Sequence, residues 1–220
     1  MEGSTQDRHS LFLLVSLLLF LMLSPFLERD LLGEVILAVL MYLTLVAALL
    51  KLSEKRSARL PGILLASSAM LVTLAGILHP LHYLLIADWM LLALFFGFVC
   101  VTLFAYLGRP GAITRGQLLA SVSLYLLLGV FYYAVFNLIE VLHHGSFVEA
   151  GLPASASISR HSLLYLSLIT LTTLGYGDVV PVSPTARTMA ALEAMTGVLY
   201  IAITVARLVA AYQKTGSENS

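Results

Sequence analysis

Residues Thr172-Thr173-Leu174-Gly175-Tyr176-Gly177-Asp178 place two threonine hydroxyls, two glycines around a tyrosine, and a carboxylate in one short run. Glycine enters positive φ without a Cβ clash, so alternating glycines let successive backbone carbonyls point the same way. A row of carbonyls aimed at one axis can replace the water shell of a cation. Thr173 would add a hydroxyl oxygen at the inner end of the row. The segment just before it, Leu163–Leu171, is mostly apolar, which a glycine turn in an ordinary surface loop does not explain.

The rest of the chain says what holds such a run. Of 220 residues, 60% are hydrophobic and only 11% charged, against roughly 25% charged in soluble domains. The mean hydropathy is +0.96. This composition excludes a cytosolic enzyme, a nucleic-acid binder and a disordered chain. Twelve basic and twelve acidic residues cancel, so net charge points to no polyanionic partner. The one cysteine, Cys100, sits in an apolar run and reads as a small buried hydrophobe, which excludes a disulfide framework. A polytopic membrane protein remains. Irregular backbone at membrane depth persists only where protein buries it or water lines it.

A spanning helix needs about 20 apolar residues. Six segments qualify: Leu11–Leu27, Leu31–Leu50, one from Pro61 to the His79-Pro80 pair, Tyr83–Leu107, Leu118–Leu142 and Thr185–Tyr212. The first lacks a signal-peptide cleavage site and is expected to stay as a span. His161–Leu171, about eleven residues, is too short to cross. Lysine and arginine placement sets the orientation. With the N-terminus inside, Arg8, Lys51, Lys55, Arg56, Arg59, Arg109, Arg115, Arg207 and Lys214 are inner, nine in all, and Arg29, Arg160 and Arg187, three, are outer. Both termini are therefore expected in the cytoplasm of a multi-pass cell-membrane protein, with the short segment outside.

The T-L-G-Y-G-D run resembles the selectivity filter of potassium channels, T-V-G-Y-G-D, with Leu174 in place of valine. The resemblance extends from about Leu118 to Tyr212 and implies an all-α membrane protein: six transmembrane helices plus a re-entrant pore helix and filter in the tetrameric potassium-channel pore fold. It implies potassium ions held by the carbonyls of Thr173, Leu174, Gly175 and Tyr176 with the Thr173 hydroxyl, while Gly177 and Asp178 shape the outer mouth. No organic cofactor is implied. One filter motif per chain, where a ring needs four, implies a homotetramer. Gly197, nineteen residues beyond Asp178, matches the gating-hinge glycine of the family, although close helix packing is equally usual for glycine in membranes. Helical spacing then puts Val198, Ile201, Val205 and Val209 on the conduction path as an apolar gate. Where many relatives carry paired pore-helix tryptophans, this chain has Tyr165-Leu166. Tyr165 is expected to donate to Asp178, Leu166 cannot bond to Tyr176, and Ile169 is apolar, so a less braced, inactivation-prone filter is expected. Glu193 is expected to bond, as a protonated acid, to pore-helix hydroxyls such as Ser167 or Thr170.

The expected domains are a cytoplasmic N-terminus over 1–10, polar and disordered; a four-helix transmembrane unit over 11–107; a linker over 108–117; the pore domain over 118–212; and a tail over 213–220. No lysine or arginine lies between Arg59 and Arg109, and the third and fourth spans hold one charge, Asp88, read as a solvated cap. Each mobile charge couples to voltage at about 2.3 kcal/mol per 100 mV, so weak voltage dependence is expected. His79 and His82 have metal-ligand spacing, but Pro80 interrupts it; His143, His144 and His161 flank the outer turret. Only eight residues follow Tyr212, so no nucleotide- or calcium-binding domain is expected from this sequence. The expected partners are the chain itself, membrane lipids and an unknown regulatory protein, with no nucleic acid. A non-selective monovalent cation channel on the same pore is the near alternative. A secondary transporter is remote, since no internal repeat is visible. An enzyme is not expected, since G-x-S-x-G and H-E-x-x-H are absent.

Overall fold

A computed structural model describes residues 2–27, 31–52, 56–78, 81–108, 114–153 and 157–218. Helices dominate: α1 (Glu2–Leu27), α2 (Leu31–Leu52), α3 (Arg56–Leu78), α4 (His82–Leu107), α5 (Arg115–Leu142), α6 (Arg160–Leu171) and α7 (Pro184–Glu218). A short ribbon, β1 (Phe147–Glu149) and β2 (Val179–Pro181), pairs antiparallel with Val148 opposite Val180. Among the described residues four helical segments are long and apolar enough to cross a membrane: Asp7–Leu27, His82–Leu107, Arg115–Leu142 and Pro184–Arg207. The apolar stretches of α2 and α3, Val35–Leu50 and Leu60–Gly76, are shorter. Arg29, Lys55, His79, Pro80 and Arg109 lie outside the described residues, as do the side chains of Lys51, Arg56, Arg59 and Lys214.

Several boundaries differ from the sequence reading. The polar N-terminal segment is helical from Glu2, so α1 begins well before Leu11. Pro61 lies inside α3, in its second turn, because the helix starts at Arg56. α5 starts within the expected linker, where Thr114 and Gln117 form a reciprocal capping box. The α7 helix runs through Glu218, past the expected end at Tyr212, since no proline interrupts it after Pro184. Pro184 occupies its first position, where a missing N–H costs nothing.

α4 packs along α5, α1 lies against both α2 and α5, and α3 lies against α4. The core between α4 and α5 is built from Leu92, Phe95, Phe96 and Val99 with Leu124, Leu127 and Phe136, all essentially fully buried. Trp89 meets Tyr133 edge-on at 5.4 Å across the same interface. Phe136 also meets Phe147 of β1 with tilted rings at 5.2 Å, fastening the ribbon to α5. At the end of α5, buried Glu140 accepts from the backbone N–H groups of Gly145 and Ser146 at 2.8 and 3.0 Å, closing the turn into β1. Truncating Phe136 should cost roughly 3–5 kcal/mol. Equilibrium unfolding of Phe136→Ala in mixed micelles checks this, and loss of the ribbon's amide protection should accompany the destabilisation.

Candidate functional site

The short helix α6 has twelve residues and is capped by Ser159, whose hydroxyl accepts from the Ser162 N–H at 2.9 Å. It ends at Leu171, and the chain then changes character. Thr173, Gly175 and Gly177 have φ of +59°, +51° and +79°, while Leu174 and Tyr176 between them do not have positive φ. Alternation of sign residue by residue lets successive carbonyls face one side, which a uniform strand cannot do. For Thr173, a β-branched residue, this conformation costs about 1–2 kcal/mol. The turn is held from behind: Leu174 N–H and Gly175 N–H both donate to the Ile169 carbonyl, at 2.8 and 3.2 Å, and Thr173 N–H donates to Thr170 at 2.9 Å. Among the described residues, no donor of the chain reaches the carbonyls of Thr173, Leu174, Gly175, Tyr176 or Gly177. Leu174 and Tyr176 are 54% and 68% exposed.

Asp178 ends the row. One carboxylate oxygen accepts from the Tyr165 hydroxyl at 2.8 Å and the other from the Val179 N–H at 3.1 Å. Its backbone carbonyl accepts from Ala150 N–H at 2.6 Å, so the end of the row is tied to the residue that follows β1. Sequence reasoning had no signal for this last bond.

Behind the row, α6 sits between α5 and α7. Ser167 Oγ lies 2.5 Å from Glu193 Oε1 and 2.7 Å from the Gly129 carbonyl oxygen. A hydroxyl carries one hydrogen and a carbonyl none, so serving both contacts takes a proton on Glu193. The acid donates to Ser167, and Ser167 donates to Gly129. Glu193 is 0% exposed, and its Oε2 has no hydrogen-bond partner, so an ionised form would leave an uncompensated charge in an apolar interior. The bonded hydroxyl is that of Ser167; among the described residues Thr170 makes no hydrogen bond to Glu193.

Gly197 abuts the end of α6: a Cβ there would run into the Leu171 carbonyl oxygen. That same oxygen accepts from the Tyr125 hydroxyl at 3.2 Å. Two further tyrosines join α5 and α7. Tyr132 bonds Thr196 at 3.1 Å, and Tyr200 donates to the Ser121 carbonyl at 2.6 Å. α7 is continuous through position 197. Beyond it Val198, Ile201, Val205 and Val209 lie along one face, each about half exposed (50–54%). Arg187 donates from Nε to the Pro181 carbonyl at 3.3 Å, at the start of α7.

Residues 120–214 match the family Ion_trans_2, described as an ion channel. A stretch of 67 residues is 40% identical to Potassium voltage-gated channel protein shk-1 of Caenorhabditis elegans. That stretch is 30% of this chain and only 12% of the relative's length. No solved structure matches. The matched region contains the filter-like turn, its supporting helix and the inner helix, so ion transport through a membrane channel is the class of function in question.

A neutral Glu193 has a spectroscopic consequence. The infrared spectrum of the protein should contain the carbonyl stretch of a buried carboxylic acid, absent in Glu193→Gln. The amide preserves a donor to Ser167, so thermal stability should fall by no more than about 1 kcal/mol. A spectrum showing only carboxylate at this residue would refute the shared-proton arrangement.

Proposed function

We propose that the chain is the subunit of a homotetrameric potassium-selective channel in the cell membrane. The observation that carries this reading is the row of carbonyls from Thr173 to Gly177, left without donors and set in alternating backbone handedness. Residues 172–178 are exposed on the single chain, so these carbonyls stand open to a ligand. In an apolar protein a cation stripped of water is the partner that matches several of them in line. Thr173, Leu174, Gly175 and Tyr176 would supply the ion sites, with the Thr173 hydroxyl at the inner end. Potassium is the cargo, and no organic group is needed.

Four copies would close the ring and cover Leu174 and Tyr176, whose exposure suits packing against a neighbouring subunit. The exposed stripe Val198, Ile201, Val205 and Val209 would then line the inner path, where a narrow apolar ring can gate by dewetting. Gly197 would let α7 lie directly against the end of the pore helix, and a bend there would shift the stripe. Tyr165 and Glu193 would support the filter from its outer and inner sides. In this reading α2 and α3 also cross the membrane, giving six spans with both termini in the cytoplasm. Without lysine or arginine between Arg59 and Arg109, conductance would depend only weakly on voltage.

The deciding experiment is the full chain reconstituted in planar bilayers under potassium on one side and sodium on the other. The reversal potential should lie close to the potassium limit; a value near zero would favour the non-selective cation channel. Gly175→Ala forces a side chain into the left-handed region and should abolish current while tetramers persist. Tyr165→Phe removes the bond to Asp178 and should speed the decay of current severalfold. The conductance–voltage curve should be shallow, and a steep one carrying several charges per subunit would overturn the account of the front helices.

A further inference from the structure

The end of the helical bundle where α6 begins contains a cavity of about 280 Å³ that none of the filter chemistry uses. It is lined from α1, α2, α3, α4 and α5 and by the start of α6. Two opposite charges face it: Asp88 from α4 and Arg160, the first residue of the pore helix. They lie within electrostatic reach of each other, yet among the described residues no direct ion pair joins them. Each is held by something else. Thr73 donates to Asp88 Oδ1 at 2.5 Å. The Arg160 guanidinium lies 5.8 Å from the centre of the Trp89 ring, a cation–π position, and that ring is itself braced by Tyr133. The Tyr42 hydroxyl, buried near Thr73 and Asp88, meets no partner at hydrogen-bonding geometry. Phe20 and Leu164 add apolar wall to the same cavity.

A lone cation on Asp88 would be repelled by Arg160, and a lone anion on Arg160 by Asp88. A ligand carrying both charges a few bonds apart satisfies both, and its connecting methylenes suit the apolar wall. The volume falls just below the range of about 300–1,000 Å³ typical of drug-sized ligands, so the ligand is small. We propose that this cavity binds a small zwitterion, with its ammonium on Asp88 and its anionic oxygens on Arg160. Bound there, it ties α4 of the front unit to the first residue of the pore helix. Its effect on conduction rests on the channel reading above; its binding does not. Two sources offer this chemistry: a free solute, or the headgroup of a zwitterionic phospholipid.

The test uses the full chain in nanodiscs of phosphatidylglycerol, titrated calorimetrically with phosphoethanolamine, ethanolamine and inorganic phosphate. Phosphoethanolamine should bind about tenfold or more tighter than either half, the gain expected from a second charge-assisted contact. Asp88→Asn should reduce phosphoethanolamine to the level of phosphate, and Arg160→Gln to the level of ethanolamine. If phosphoethanolamine binds the unmodified protein no tighter than phosphate, the proposal is wrong, whatever the variants do. Adding phosphatidylethanolamine to the nanodisc identifies the source: competition points to the lipid headgroup, and undiminished binding to a soluble zwitterion. Potassium flux measured on the same preparation separates the two readings. Flux without binding overturns this site alone, and binding without flux overturns the channel reading alone.

Discussion

A backbone carbonyl that meets no donor is tolerable in an apolar protein only if something else solvates it. The turn from Thr173 to Gly177 presents several such groups in succession, and much of the surrounding architecture follows from that condition. The turn needs glycines at 175 and 177 because side chains resist the left-handed region, and it accepts the strain at Thr173 because the row would otherwise break. It needs a rigid helix immediately before it, and α6 supplies one whose last turn captures the N–H groups of Thr173, Leu174 and Gly175. Donors are thus consumed on the protein side while acceptors stay free on the other. That asymmetry is what the proposed cation row would use.

Holding α6 in place is the second demand, and polar groups at its back meet it without introducing net charge. Ser167 bridges Glu193 of α7 and Gly129 of α5, so one hydroxyl joins three helices. Tyr125 reaches the terminal carbonyl of α6 from the outer helix, and Gly197 allows the inner helix to press against the same group. A larger residue at 197 would push α7 away and loosen the Glu193 contact one turn earlier. The glycine's packing role and the acid's bonding role therefore depend on each other, which is why they sit four residues apart on one helix face.

Much of this was legible in the sequence, because periodicity and glycine placement act locally. The irregular turn at the two glycines, the half-length helix ahead of it and Pro184 at the head of α7 could all be read from neighbouring residues. Contacts between distant segments were less accessible. Glu193 was recognisable as a buried acid on the inner helix, but choosing Ser167 over Thr170 needed the rotation of α6 against α7. The closure of the α5 turn by Glu140 depends on backbone N–H groups, which no side-chain pattern reveals. Asp88 read as a solvated cap because its partner Thr73 lies on a different helix and Arg160 on another beyond the outer helix. Helix ends drifted for a simpler reason: hydropathy marks where a helix becomes apolar, whereas α1 and α7 continue into polar sequence that propensity alone sustains.

The front helices α1–α4 are not independent of α5–α7. α1 packs on α5, and Asp7 near its start lies against Gly116 near the start of α5, so the two helices run parallel from a common level. α4 adds a second contact along α5 through its aromatic face, with Trp89 against Tyr133. α5 is thus held from both sides by α1 and α4, and it in turn holds α6 through Gly129 and Tyr125. A displacement of α1 or α4 has a continuous packed route to the filter's supporting helix. Any influence the front helices exert on the turn at Thr173 must enter through contacts made to them, and their polar cavity lies where α4 meets the first residue of α6.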